Sequence, residues 1–136
     1  SSDLSKRITE VAGASQVFDC GICSYANQIK ERVLGVSHET LEALGAVSRE
    51  TAAQMAAGVR KLAQADIGVS TTGIAGPDGG TDEKPVGLVY VGVDSENYST
   101  VLECRLSRGY RDERELIRYL TSSHALRLAL TAARKA

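Results

Sequence analysis

A lysine serves as a general base when burial disfavours its ammonium form, and serine–lysine pairs are one variant of nucleophilic catalysis. Ser15, Tyr25 and Lys30 have residue types and a spacing that suit such chemistry. Gly13-Ala14-Ser15 reads as a tight turn after a helix, and it presents Ser15 just before a stretch with strand character. That stretch ends at Tyr25, and Lys30 follows at the start of a helix. The three side chains could therefore converge at one end of a sheet. On these residues alone a plainer alternative stands beside this one. Serines are common in turns, and a lysine on a helix start commonly faces solvent.

Other chemistries find less support. The two histidines, His38 and His124, are far apart, each on a predicted helix, and neither has metal-ligand spacing. Cys20-Gly21-Ile22-Cys23 has C-x-x-C spacing but falls inside a predicted strand. It has no helix N-terminus to lower a thiol pKa, and strand positions three apart face opposite sides. With Cys104 the cysteine count is odd, which points to free thiols. No metal site and no cofactor are expected.

The stretch Thr72-Gly73-Ile74-Ala75-Gly76-Pro77-Asp78-Gly79-Gly80, followed by Lys84-Pro85-Val86-Gly87, holds both prolines of the chain. It lies between two β-branched apolar runs, so it joins two predicted strands, and it is too long for a simple hairpin turn. Glycines let backbone N–H groups approach a ligand closely. Such a loop at strand ends lines a small-molecule site or serves as a solvated connector, and composition does not choose between them.

The elements that must position these residues follow from periodicity. Helices are predicted over 3–11, 27–34 and 38–44, the last two stopped by Gly35 and Gly45. Residues 17–25 are β-like. Ser48 reads as the N-cap of a helix whose apolar stripe is Ala52, Met55, Ala56, Val59, Leu62 and Ala63. Strands are predicted at about 66–72 and 85–94, a polar turn over 94–98, and a half-wet strand over 99–106. The last helix is predicted over 111–134 with a stripe of Leu116, Tyr119, Leu120, Ser123, Leu126 and Leu130. This order suggests an α/β fold, a three-layer α/β/α sandwich with a mixed central sheet, in a single domain over 1–136.

Composition bounds the function. The chain has 136 residues, 43% apolar and 24% charged, with a net charge of −1. That balance argues against an electrostatic nucleic-acid binder, since no face can carry a large basic excess without compensation elsewhere. No apolar stretch approaches membrane-spanning length, and no signal peptide is visible. A cytoplasmic location with no membrane or nucleic-acid partner is expected.

Several segments, in order and spacing, resemble the C-terminal domain family of the competence- and damage-inducible CinA proteins. They are Thr9-Glu10-Val11-Ala12-Gly13-Ala14-Ser15, Ser24-Tyr25-Ala26-Asn27-Gln28-Ile29-Lys30 and Leu34-Gly35-Val36. Further on come Gly45-Ala46-Val47-Ser48 with Met55-Ala56, the loop from Thr72 to Gly80, and Lys84-Pro85-Val86-Gly87. Gly109-Tyr110-Arg111-Asp112 resembles the family's G-x-R element. Stand-alone members are nicotinamide mononucleotide amidases (PncC-like). The resemblance implies a metal-independent hydrolase that converts the carboxamide of nicotinamide mononucleotide to nicotinate mononucleotide and ammonia. It implies Ser15 as nucleophile, Lys30 as its general base and Tyr25 as a proton relay. Thr72, Gly73 and Gly76 would position the substrate or its oxyanion, and Arg111 would meet the nucleotide phosphate. A homodimer or higher homo-oligomer is implied as well. The alternatives are a non-catalytic binding module of the same fold, or an amidase for a different small amide. One departure stands out. The family's first strand and its A-E-S-C-T-G-G segment are not found in this chain, and Ser1-Ser2 falls about where two glycines would be.

Overall fold

A computed structural model describes residues 2–136, with side chains from Asp3 onward. Ser1, where the resemblance sets a glycine, lies outside the described residues. The elements are α1 (Ser2–Thr9), a 3-10 turn (Ala14–Gln16), α2 (Asn27–Leu34), α3 (His38–Leu44), α4 (Arg49–Ala63), β1 (Ile67–Gly73), β2 (Leu88–Ser95), β3 (Ser99–Arg105) and α5 (Arg114–Arg134).

Local chemistry sets the boundaries. Gly13 takes a left-handed φ of 89° and turns the chain out of α1. Ser37 and Ser48 cap α3 and α4, their hydroxyls accepting from the Thr40 and Thr51 amides at 3.1 and 3.0 Å. Gly35 ends α2 in the left-handed region, donating its amide to the Glu31 and Lys30 carbonyls.

The sheet has the order β1-β2-β3. β1 pairs antiparallel with β2, with Thr72 opposite Tyr90 and Ser70 opposite Gly92. β2 pairs antiparallel with β3, with Val89 opposite Cys104. Helix α4 covers one face of the sheet, with α2 and α3 against it, and α5 covers the other, with α1 outside. The α/β/α layering expected from the sequence is present.

Two expectations are corrected here. The sheet is antiparallel, not mixed, among the described residues. Residues 18–25, expected as a strand, carry no regular structure. They have strand-forming side chains but no strand beside them: a cavity separates them from β1, so their backbone has no ladder to join.

The core forms two clusters. One packs Val89, Val91, Cys104, Ile117 and Ala125 between the sheet and α5. The other packs Leu34, Val36, Leu41 and Met55 between α2, α3 and α4. The predicted stripe of α5 is also corrected. Its buried residues are Ile117, Ser122, Ala125 and Ala132, while Tyr119 and Leu130 are about half exposed. Ser122, Ala125 and Ala132 let the helix approach the sheet, and Ile117 is the large side chain packed against it. Tyr119 is covered instead by the Arg7 guanidinium, 4.6 Å from its ring centre.

Helix α4 approaches its neighbours at backbone distance. A Cβ on Gly58 would lie 1.7 Å from the Leu34 carbonyl oxygen. A Cβ on Gly68 of β1 would lie 2.1 Å from the Ala56 oxygen, and one on Gly92 of β2 would lie 2.6 Å from the Ala52 oxygen. Gly58→Ala is therefore expected to destabilise the domain, although alanine is favoured over glycine in a helix by about 1 kcal/mol. A thermal melt in which this variant gains stability would refute the close approach. Ile117, 1% exposed, should cost about 2–5 kcal/mol as Ile117→Ala, read from the urea midpoint at unchanged slope.

Candidate functional site

Lys30 sits on the first turn of α2, where Ala26 at the N-cap leaves the preceding segment extended. The turn of the helix directs its side chain inward, and the residue is only 5% exposed. Its Nζ donates to the Ser24 carbonyl at 2.6 Å and to the Tyr25 carbonyl at 3.3 Å. Burial pushes its pKa below the ordinary lysine value, and the nearby Cys23 thiol opposes that shift. A neutral amine has two N–H donors and one lone pair. The two carbonyls can take both donors, which leaves the lone pair to accept a proton.

Lys30 opens onto a cavity of about 720 Å³. Its walls come from every layer: Leu4 and Ile8 of α1, residues 17–25, Met55 and Val59 of α4, the whole of β1, and Ile117 and Arg118 of α5. The size is that of a small-molecule site, and the lining is mostly apolar with a few polar groups, as such sites are.

Of the residues singled out from the sequence, Tyr25, Lys30, Thr72 and Gly73 line this cavity. Tyr25 is 84% exposed, so its ring stands at the mouth rather than inside. Thr72 Oγ1 donates to the Ala46 carbonyl at 2.6 Å. Its one hydroxyl proton is thereby engaged, and the oxygen is left as an acceptor, so this bond must break before Thr72 can donate to an oxyanion.

Ser15, Gly76 and Arg111 are not among the lining residues. Ser15 lies on the 3-10 turn, and no hydrogen bond joins it to Lys30 among the described residues. The irregular stretch 18–25 intervenes between the two, so the turn that presents Ser15 and the helix that carries Lys30 are not held edge to edge by a common strand. Gly76, in a left-handed φ of 74° before a cis Gly76–Pro77 bond, gives its carbonyl to Arg114 Nη1 at 2.9 Å. Arg111 is exposed in the loop before α5. That loop is folded around the buried Glu113 carboxylate, which accepts from Ser107 Oγ and from the Arg108 amide, both at 2.6 Å. The Ser107 hydroxyl holds the Glu113 carboxyl below the usual range.

The sequence reading missed Arg114. It lines the cavity, where Arg111 does not, and it ties the glycine loop to the start of α5. Its position three residues beyond Arg111 and one past the N-cap Glu113 was the available signal. Arg118 also reaches the cavity wall, paired with Asp3 of α1 at 2.6 Å. No His/Cys/Asp/Glu grouping suited to a metal occurs among the described residues. No helix of the described residues is long and apolar enough to cross a membrane.

Comparison with known proteins gives the lineage of this arrangement. Residues 3–133 match the family described as the CinA C-terminal domain. The chain is 56% identical over 123 residues to a competence-damage inducible protein of Thermoanaerobacter pseudethanolicus, covering 90% of this chain and 29% of that one. The chain thus spans under a third of the length of such curated relatives. Among solved structures, the competence/damage inducible protein CihA from Agrobacterium tumefaciens is 41% identical with a TM-score of 0.91, covering 96% of this chain and 78% of that one. A CinA superfamily protein from Escherichia coli is 27% identical with a TM-score of 0.86, covering 94% of this chain and 72% of that one. A match across nearly all of the described residues, joined to the same fold in solved relatives, means that this chain belongs to the CinA C-terminal domain family.

Proposed function

We propose that this domain is an amide hydrolase whose general base is Lys30, with the carboxamide of nicotinamide mononucleotide as substrate. The observation that carries the reading is the Lys30 amine, buried and fixed by two carbonyls on the wall of a cavity of ligand size. Amide hydrolysis needs an oxygen nucleophile freed of its proton, donors for the oxyanion, and a proton for the departing nitrogen. Neutral Lys30 removes the proton from an oxygen nucleophile as it attacks the carboxamide carbon. The same proton then passes from the Lys30 ammonium to the amide nitrogen as the C–N bond breaks, and ammonia leaves. Tyr25, at the mouth, is placed to relay that proton if its ring turns inward. Arg114 and Arg118 supply positive charge on the cavity wall for an anionic phosphate, the role that the sequence reading gave to Arg111.

Ser15 was implied as the nucleophile by the family resemblance. Lying outside the cavity lining, it is assigned no bond-forming step in this reading. The nucleophile is instead a water or hydroxyl that reaches Lys30 within the cavity. A second reading, a non-catalytic binding module, is favoured by one observation only: no side-chain hydroxyl is hydrogen-bonded to Lys30 among the described residues.

Ammonia release from nicotinamide mononucleotide tests the reading. Lys30→Arg is expected to lose about a hundredfold or more in kcat, since a guanidinium cannot take up the role of a base. Ser15→Ala is expected to retain most of the rate. The rate should rise with pH along a limb whose midpoint lies below the ordinary lysine value, because the deprotonated amine is the active form and burial lowers its pKa. A Lys30→Arg variant with unchanged turnover would refute the base. Free nicotinamide should be hydrolysed much more slowly than the mononucleotide, and equal rates would remove the phosphate from the account.

A further inference from the structure

Glu113 is only 6% exposed and precedes Arg114, the arginine on the cavity wall. A buried carboxylate beside a guanidinium ordinarily pairs with it and cancels its charge. Among the described residues this one does not. Its Oε2 accepts from Ser107 Oγ and its Oε1 from the Arg108 amide, both at 2.6 Å. Both oxygens are thus taken by the loop before α5, and neither caps an amide of α5 itself. The Arg114 guanidinium bonds instead to a neutral group, the Gly76 carbonyl, at 2.9 Å. Its charge is left uncancelled, whereas Arg118 is matched by Asp3.

Both ends of the glycine loop rest on this same segment. Arg114 holds the first end through Gly76. At the second end the Leu106 amide donates to the Gly87 carbonyl at 2.9 Å, and a Cβ on Gly87 would lie 2.5 Å from the Ser107 nitrogen. Ser107 is the residue whose hydroxyl Glu113 holds. The Gly87 amide in turn donates to the Ile74 carbonyl at 2.7 Å and closes the base of the loop. The backbone of Glu113 is anchored as well, since its carbonyl accepts from the amide of the core residue Ile117 at 2.8 Å.

We propose that Glu113 is a positioning residue for the anionic end of the substrate: by holding Ser107 and the Arg108 amide it fixes residues 106–114 against both ends of the glycine loop, and so sets an unpaired Arg114 on the cavity wall. This rests on the reading in which Arg114 meets the phosphate. Glu113 does not line the cavity, so it acts through Arg114 and not on the ligand. Its two acceptor oxygens carry the role, and its size does not. A glutamine fills the same space but replaces one oxygen with an NH2 group, which cannot accept from a hydroxyl or an amide, so one of the two bonds is lost.

Two readouts on the 136-residue chain test this, with Glu113→Gln and, as the milder variant, Ser107→Ala. The first is amide hydrogen exchange without ligand. Exchange is expected to quicken about tenfold at Arg108 and also at Ile74 and Gly87, which Glu113 does not touch, and to stay unchanged at Ser95 in the distant β2–β3 turn. The second is calorimetry with nicotinate mononucleotide and nicotinate riboside as probes. The mononucleotide is expected to bind about tenfold more weakly to the variant, and the riboside within about twofold of the original. Quickening confined to 107–110 would overturn the proposal, and so would an equal loss for both probes, which is what a merely structural role gives. If Glu113→Gln does not fold, Ser107→Ala carries both readouts, in the same direction. Equal binding of the two probes by the unaltered protein would defeat the phosphate reading. The exchange readout needs no ligand, so it separates that failure from a failure of Glu113 to hold the glycine loop.

Discussion

The close approach of α4 to the sheet is the constraint on which the rest of the domain depends. Gly68 and Gly92 let the α4 backbone come within reach of β1 and β2, and Ala52 and Ala56 keep the helix face flat. At that distance Ser70 Oγ can donate to the Ala52 carbonyl at 2.6 Å, a buried bond between strand and helix. Gly58 then lets α2 lie against the other side of α4. Since Lys30 is carried by α2, the depth of its amine follows from two successive close contacts. A larger side chain at either would move the helix outward and the amine toward solvent.

Burying an amine is unfavourable unless it is neutral or well bonded. Lys30 is well bonded, because Ser24 and Tyr25 turn their carbonyls to it, and its burial shifts its pKa downward. Those carbonyls belong to a stretch with no ladder of its own. The Ser24 and Tyr25 carbonyls, in no strand among the described residues, hold the Lys30 amine. The far side of the cavity is held by different means. Arg114 fixes the glycine loop through the Gly76 carbonyl, and Glu113 gathers the 107–110 loop onto the start of α5. The cavity thus has one wall, β1, held by its register with β2, and other walls fixed by side-chain bonds.

Most of the fold was legible in the sequence, and the reasons are local. Ser48, Gly35 and Gly45 mark helix ends because capping and glycine turns are properties of single residues and their immediate neighbours. Helices α2 and α3 fall where the sequence placed them, and β1, β2 and β3 lie within three residues of their predicted ends. Alternation and β-branching are likewise short-range. The failures are non-local. The strand expected over 17–25 needs a partner that its own residues cannot supply, and the inward face of α5 is chosen by how near the sheet stands, not by where its leucines fall.

The site divides along the same line. The sequence by itself determined the chemistry on offer: a lysine at a helix start, a tyrosine before it, and a threonine at the head of a glycine loop. Side-chain type is fixed by covalent structure and needs no fold to be read. Only the tertiary structure decided which groups meet. It buried Lys30 beside the cavity, engaged the Thr72 proton on Ala46, set Arg114 in the wall in place of Arg111, and left Ser15 outside. Contact between residues distant in sequence depends on the packing of whole elements, here on how closely α2, α4 and β1 approach one another, and no local pattern encodes that distance.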